Sequence, residues 1–134
     1  MKKFRAGALA IAMTASAFIF GASPAQAAAQ ASPISLCGSS YHVIDTHVVS
    51  GYGATVYLLF DGTRNCVVTL KTSNLDKKTV TMALVQHPDH PSHEDSGYYY
   101  EYAGPVYSEP SAGKCIRWGG GQTFKWMSDW VHCG

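Results

Sequence analysis

Three histidines recur at every third position in the run QHPDHPSHEDSG, as His87, His90 and His93, with Asp89, Glu94 and Asp95 beside them. Imidazole and carboxylate are the ligands that zinc, copper and nickel take, so metal chemistry would sit here if anywhere. The spacing works against it. Residues three apart on a strand point to opposite faces, and Pro88 and Pro91 exclude a helix that would bring them together. The segment reads as a solvated polar loop, and neither a metal nor another cofactor is assigned.

A second group could do acid–base chemistry. His42, Asp45 and His47 could supply a base and its orienter, and Ser39, Ser40 and Ser50 could supply hydroxyls. Asp45 and His47, two apart, share a face if the segment is a strand. No GxSxG elbow or comparable nucleophile context accompanies them. Glu94 with Glu101 or Glu109 would give a carboxylate pair of the glycosidase type, but such a pair is defined by a separation in space that spacing in sequence does not supply. No catalytic residue is assigned, and the chain leans away from being an enzyme.

Cys37, Cys66, Cys115 and Cys133 are separated by 28, 48 and 17 residues, without a CxxC pair. Thiolate zinc sites bring close pairs of ligands, so two disulfides are the better reading. Three pairings are open. Cys37–Cys66 with Cys115–Cys133 is preferred, because the first ties the N-terminus to a central strand and the second closes a loop worth about 3 kcal/mol. Cys37–Cys133 with Cys66–Cys115 would instead staple the termini together.

The aromatic residues offer binding rather than chemistry. Alternation sends Tyr98, Tyr100 and Tyr102 to one face and Tyr99 to the other, and Trp118 and Trp126 follow. These five form a candidate surface for stacking on polysaccharide rings or packing against another protein. The alternative is that aromatics, favoured in strands, fill a small core and cover its rim. Gly119–Gly121 lacks the lysine and helix of a phosphate loop and reads as a bulge or turn.

Around these groups the chain has a simple organisation. MKKFR, an apolar run over residues 6–22 and the small-residue pattern Ala25-x-Ala27 form a secretory signal over residues 1–27. Removing 27 of the 134 residues leaves 107, enough for one domain. Lys2, Lys3 and Arg5 leave with the leader, so seven Lys and Arg face nine Asp and Glu. The remaining cations are scattered, which excludes a nucleic-acid surface, and no second apolar run would span a membrane. Export places the cysteines where disulfides persist. Residues 28–36 read as a flexible N-terminus, and 37–134 as a single β-domain.

Strands are expected over 41–49, 54–60, 66–72 and 78–85, the last three as an antiparallel meander. In 78–85, Val80, Met82 and Leu84 are expected inward and Thr79, Thr81 and Ala83 outward. Residues 86–97 are expected as a loop, 98–107 as a strand interrupted at Gly104-Pro105, and 114–118 as a short strand. Residues 122–133 fit a helix or a strand, and strand is favoured at both ends. The sum is an all-β fold: a small disulfide-stapled antiparallel β-sandwich or barrel.

The runs YYYEYAGPVY and GKCIRWGGG, the terminal HCG and the earlier YGATVYLLFDGTRNCVVTL resemble the spore-associated protein A family of streptomycetes and related actinobacteria. The resemblance spans roughly residues 37–134. It implies a secreted protein of the spore or cell surface without established chemistry, and it brings no catalytic residue. The expected role is non-enzymatic, with cell-wall glycan or another spore-surface protein as partner. A carbohydrate-binding module is the alternative, and a hydrolase the weaker one. Of the two disulfides, Cys115–Cys133 is expected to matter more for stability, since glycine runs flank Cys115 and the C-terminus frays unless anchored.

Overall fold

The computed structural model describes residues 31–134; the expected leader lies outside the described residues. α1 (Pro33–Cys37) is followed by eight strands: β1 (His42–Val49), β2 (Ala54–Phe60), β3 (Asn65–Lys71), β4 (Thr79–Gln86), β5 (His93–Tyr99), β6 (Tyr102–Tyr107), β7 (Arg117–Gln122) and β8 (Trp126–Met127). They form two four-stranded antiparallel sheets, ordered β1-β2-β3-β6 and β5-β4-β7-β8. This is the expected all-β sandwich, with disulfides Cys37–Cys66 and Cys115–Cys133 in the preferred pairing. Among the described residues no helix is long and apolar enough to cross a membrane.

Val56, Leu58, Val67, Ala83, Val85, Ala103, Val106, Ile116 and Trp118 fill the space between the sheets. A second, smaller cluster lies on the outer side of the first sheet, where Cys37, Leu59, Cys66 and Val68 are buried with Leu36, Tyr41 and Tyr57 against them. Because α1 covers this face, β3 is buried on both sides almost throughout. The helix exists because Ser32 and Ser35 cap it reciprocally and Pro33 presets its first turn. Residues 33–36, expected to be a flexible tail, are therefore partly ordered as a lid on the sheet.

Several expectations are corrected. The three central strands are not one meander. β2 pairs with β3, but β4 joins the other sheet, since β6 occupies the remaining edge of β3. The crossing loop is organised from below by Lys71. Its side chain is fully buried and its Nζ donates to the carbonyls of Asn74, Lys77 and Tyr99 at 2.8, 2.9 and 3.1 Å. Burial pushes the Lys71 ammonium pKa down, with the nearby Asp76 carboxylate opposing.

The faces of β4 are also reversed. Thr81, Ala83 and Val85 are fully buried and face the other sheet, whereas Val80, Met82 and Leu84 lie on the outer side. Trp118, directly opposite Val85, fills the inner volume, so the β4 positions beside it must be small or slender. β5 begins at His93, inside the segment expected to be loop, and the 98–107 run breaks at Tyr100-Glu101 instead of Gly104-Pro105, which lies within β6. Gly119–Gly121 is neither bulge nor turn but the middle of β7. A Cβ at Gly120 would stand 2.2 Å from Thr69 Oγ1 of the opposite sheet, and one at Gly119 would stand 2.2 Å from the Trp126 carbonyl oxygen. Glycine is required there by close approach of neighbouring chains. Residues 122–133 form no helix; Gln122 ends β7, β8 is short, and Val131 bridges Ile116.

Candidate cleft at the open edge of the sandwich

β1 is an edge strand. Its pairing places Asp45 opposite Leu58, His47 opposite Val56 and Val49 opposite Ala54. Val56 and Leu58 belong to the inter-sheet core, so Asp45 and His47 stand on the inner face of the sandwich, where apolar residues are the rule. A polar pair at core-facing positions is a departure from the pattern that otherwise specifies the fold, and such departures concentrate at functional sites.

What they meet comes from the other sheet. The His47 ring stacks on Trp126 at 3.7 Å between centroids, with the planes 6° apart, and Trp126 in turn meets Trp118 edge-on at 5.0 Å. Asp45 accepts from the Thr46 backbone N–H at 2.8 Å and lies 3.1 Å from His132 Nε2. His132 has φ 55°, in the left-handed region, between Val131, which bridges Ile116, and Cys133, which is bonded to Cys115. Ser128 and Asp129 complete the wall. Ser128 Oγ accepts from the Trp118 backbone N–H at 3.0 Å and donates to the Asp129 carbonyl at 2.7 Å. The result is a cleft of about 360 Å³ between β1 and the C-terminal segment.

The charge of the cleft is one-sided. Asp45 and Asp129 line it and neither Lys nor Arg does. Arg117, whose side chain does not line it, donates from Nε to the carbonyl of the lining residue Ser128 at 3.2 Å, and its guanidinium lies 5.8 Å from the Trp130 ring centroid. Trp118 is 2% exposed and its Nε1 has no hydrogen-bond partner among the described residues.

The five aromatic residues singled out from the sequence do not share a surface. Trp118 belongs to the core, because it faces inward from β7 beside Val85. Trp126 is half-buried in the cleft. Tyr98, opposite Val80, stands on the outer face of one sheet, and Tyr102, opposite Leu70, on the outer face of the other, because the chain changes sheets between β5 and β6. Tyr100, in that corner, is exposed with Lys78 Nζ 5.5 Å from its ring centroid. Tyr99 donates from its hydroxyl to Asp95, which also accepts from the Gly104 N–H at 2.8 Å and so links β5 to β6 across the sheets. This hydrogen bond, then burial, raises the Tyr99 phenol pKa.

The histidine run does not assemble either. His87 is buried and its Nδ1 accepts from the Asp89 N–H, His90 lies 4.9 Å away ring to ring, and His93 sits on β5 at 3.4 Å from Glu109. Among the described residues no group of three His, Cys, Asp or Glu is placed to hold a metal ion. Of the acid–base candidates, Asp45 and His47 share a strand face as expected, but Asp45 is oriented by the distant His132, and Glu109 pairs with His93.

Sequence reasoning missed Asp129 and His132, which are polar positions inside the aromatic run 122–133. It also missed the stacked pair Tyr52–Phe124, exposed with ring centroids 5.0 Å apart. The signal for Tyr52 was its setting between Gly51 and Gly53: an aromatic ring in a glycine turn has no core to enter.

The chain is similar to Spore-associated protein A of Streptomyces coelicolor, with 36% identity over 102 residues, which is 74% of this chain. It spans 64% of that relative's length. No family model matches the chain, and no solved structure matches it.

Proposed function

We propose that this chain is an exported member of the spore-associated protein A family and that it works by binding at the cell or spore surface, not by catalysis. The observation that carries the reading is the 36% identity to Spore-associated protein A over most of the chain. The two disulfides suit an oxidising, extracellular setting. Exposed aromatic rings at Tyr52, Phe124, Tyr98 and Tyr100 are the kind of surface that holds a glycan or a coat protein. Cell-wall glycan or another spore-surface protein is the partner class.

A hydrolase would need an activated nucleophile. The serines that could have served, Ser39, Ser40 and Ser50, are all exposed, and the ring of the candidate base His47 is stacked on Trp126. Fractionation of a sporulating culture tests the proposal. The protein is expected in culture fluid and in detergent washes of intact spores. Recovery from the cytosol alone would end it.

A further inference from the structure

We propose that the Cys115–Cys133 disulfide is a site of thiol–disulfide exchange, opened by a dithiol while Cys37–Cys66 stays closed, and that its opening releases residues 132–134 from the wall of a hollow beside it. This device is independent of the surface role proposed above.

The two bonds stand in opposite settings. Exchange requires a thiolate to reach one sulfur of the bond. Cys37 and Cys66 are buried in the cluster beneath α1, with Leu36, Tyr41 and Tyr57 packed against them. A thiolate reaches that pair only when this packing opens. Cys133 is exposed and Cys115 half-buried, and their sequence neighbours Lys114, His132 and Gly134 are exposed as well. Attack on Cys133 comes from solvent, with the sheets closed.

What this bond holds is short. Val131 pairs its backbone with Ile116 through hydrogen bonds of 2.8 and 2.9 Å. Beyond Val131, among the described residues, the segment is tied by the disulfide and by the His132–Asp45 contact. That contact joins two partly exposed side chains and holds little alone. His132 and Gly134 are among the residues lining a hollow of about 210 Å³, together with Ile44, Phe60, Asn65 and Gly113. Gly134 lies against Gly113: a Cβ built on it would stand 3.8 Å from the Gly113 Cα. The disulfide therefore pins one wall of the hollow.

The exchange runs in two steps. A donor thiolate attacks Cys133 Sγ, the Cys115–Cys133 bond breaks, and Cys115 leaves as a thiolate. The donor's second thiolate then attacks the donor sulfur of the mixed disulfide and expels Cys133. Two electrons pass to the protein, both cysteines take up protons, and the donor ends as a disulfide. The Ile116–Val131 pairing keeps the two thiols close, so an oxidised donor reverses the reaction.

The test treats the oxidised protein with dithiothreitol or with reduced thioredoxin, traps thiols with iodoacetamide over time, and reads them by peptide mass. Cys115 and Cys133 are expected to be alkylated about a hundredfold or more faster than Cys37 and Cys66, which wait on structural opening. Either donor opening this bond alone supports the inference, and the faster one at equal thiol concentration identifies the source as a small or a protein dithiol. In amide NMR of the partly reduced protein, Ile44, Phe60, Gly113 and residues 132–134 should shift, while Val56, Leu58 and Val67 of the core keep their resonances. Cys115→Ser with Cys133→Ser should reproduce that spectrum, and reoxidation should restore the original one. Three outcomes overturn the inference: Cys37 and Cys66 reacting as fast as the other pair, loss of the core resonances when Cys115–Cys133 opens, or resonances around the hollow that do not move.

Discussion

His132 Nε2 lies 3.1 Å from Asp45 Oδ2, across 87 positions of sequence, and joins the C-terminal segment to the inner face of β1. An ionised carboxylate only accepts, so the imidazole N–H donates. Asp45 also lines the cleft, and the Cys115–Cys133 disulfide next to His132 holds the donor in place.

The two side chains are 36% and 44% exposed, so solvent screens their attraction. Asp45→Ala and His132→Ala are each expected to lower stability by about 0.5–1 kcal/mol. A double-mutant cycle in urea measures the coupling. A coupling of zero would show that the disulfide positions His132 without help from Asp45.

The disulfides should be unequal, in the order opposite to the one glycine content suggests. Cys37 and Cys66 are 5% and 0% exposed within an apolar cluster and close the longer loop, with a separation of 29 against 18. Cys133 is exposed. Replacing Cys37 and Cys66 by serine removes the longer cross-link, frees α1 from the sheet and buries two hydroxyls among apolar groups. Its cost is expected near the upper end of about 2–5 kcal/mol, and that of the Cys115/Cys133 pair near the lower end. Thermal melts of both double-serine variants decide it. An equal or larger loss in the Cys115/Cys133 variant would show that anchoring the C-terminus outweighs the buried cluster.

Gly120→Ala tests why a glycine run sits in the middle of a strand. Its Cβ would stand 2.2 Å from Thr69 Oγ1 and 2.3 Å from the Met82 carbonyl oxygen. Thr69 Oγ1 donates to that same carbonyl at 2.6 Å, so neither atom can withdraw without breaking the other's hydrogen bond. A loss of about 1–3 kcal/mol or more is expected from overpacking. An alanine variant as stable as the parent in urea would contradict the close approach of the sheets.

Tyr99 gives a pH dependence with a definite sign. Its pKa is raised above the ordinary 10.0 because the phenol donates to Asp95. The folded protein therefore keeps this proton to higher pH than the unfolded chain. The stabilisation is fully present below about pH 10 and is lost as pH rises through the folded pKa. Tyr99→Phe removes the hydrogen bond, so it should lower stability at about pH 8 and lessen the further loss on going to about pH 11. Urea midpoints at the two values measure this. Parallel losses in parent and variant would show that the Tyr99–Asp95 link does not contribute to the alkaline arm.

Much of the fold was legible because it is written in local patterns. Alternation in ATVYLLF and CVVTLKT correctly paired residues onto common faces: Val56 with Leu58, Tyr57 with Leu59, Cys66 with Val68. The cysteine spacing pointed to two bridges and favoured the pairing found. Asp45 and His47 were placed on one strand face by their spacing.

Only the tertiary structure decided which face is inside. A period of two says which side chains stand together, but not toward which side of the sheet the core will form. β4 shows the consequence, since its larger residues lie outward because Trp118 from β7 takes the inner volume. The change of sheet after Lys71 and after Tyr99 was hidden for a related reason: a short turn marks where a strand ends, not which neighbour the next one joins. The cleft is the extreme case. Asp45 and His47 of β1 meet Trp118, Trp126 and Asp129 from the other end of the chain, and no spacing records a contact that only two closed sheets create.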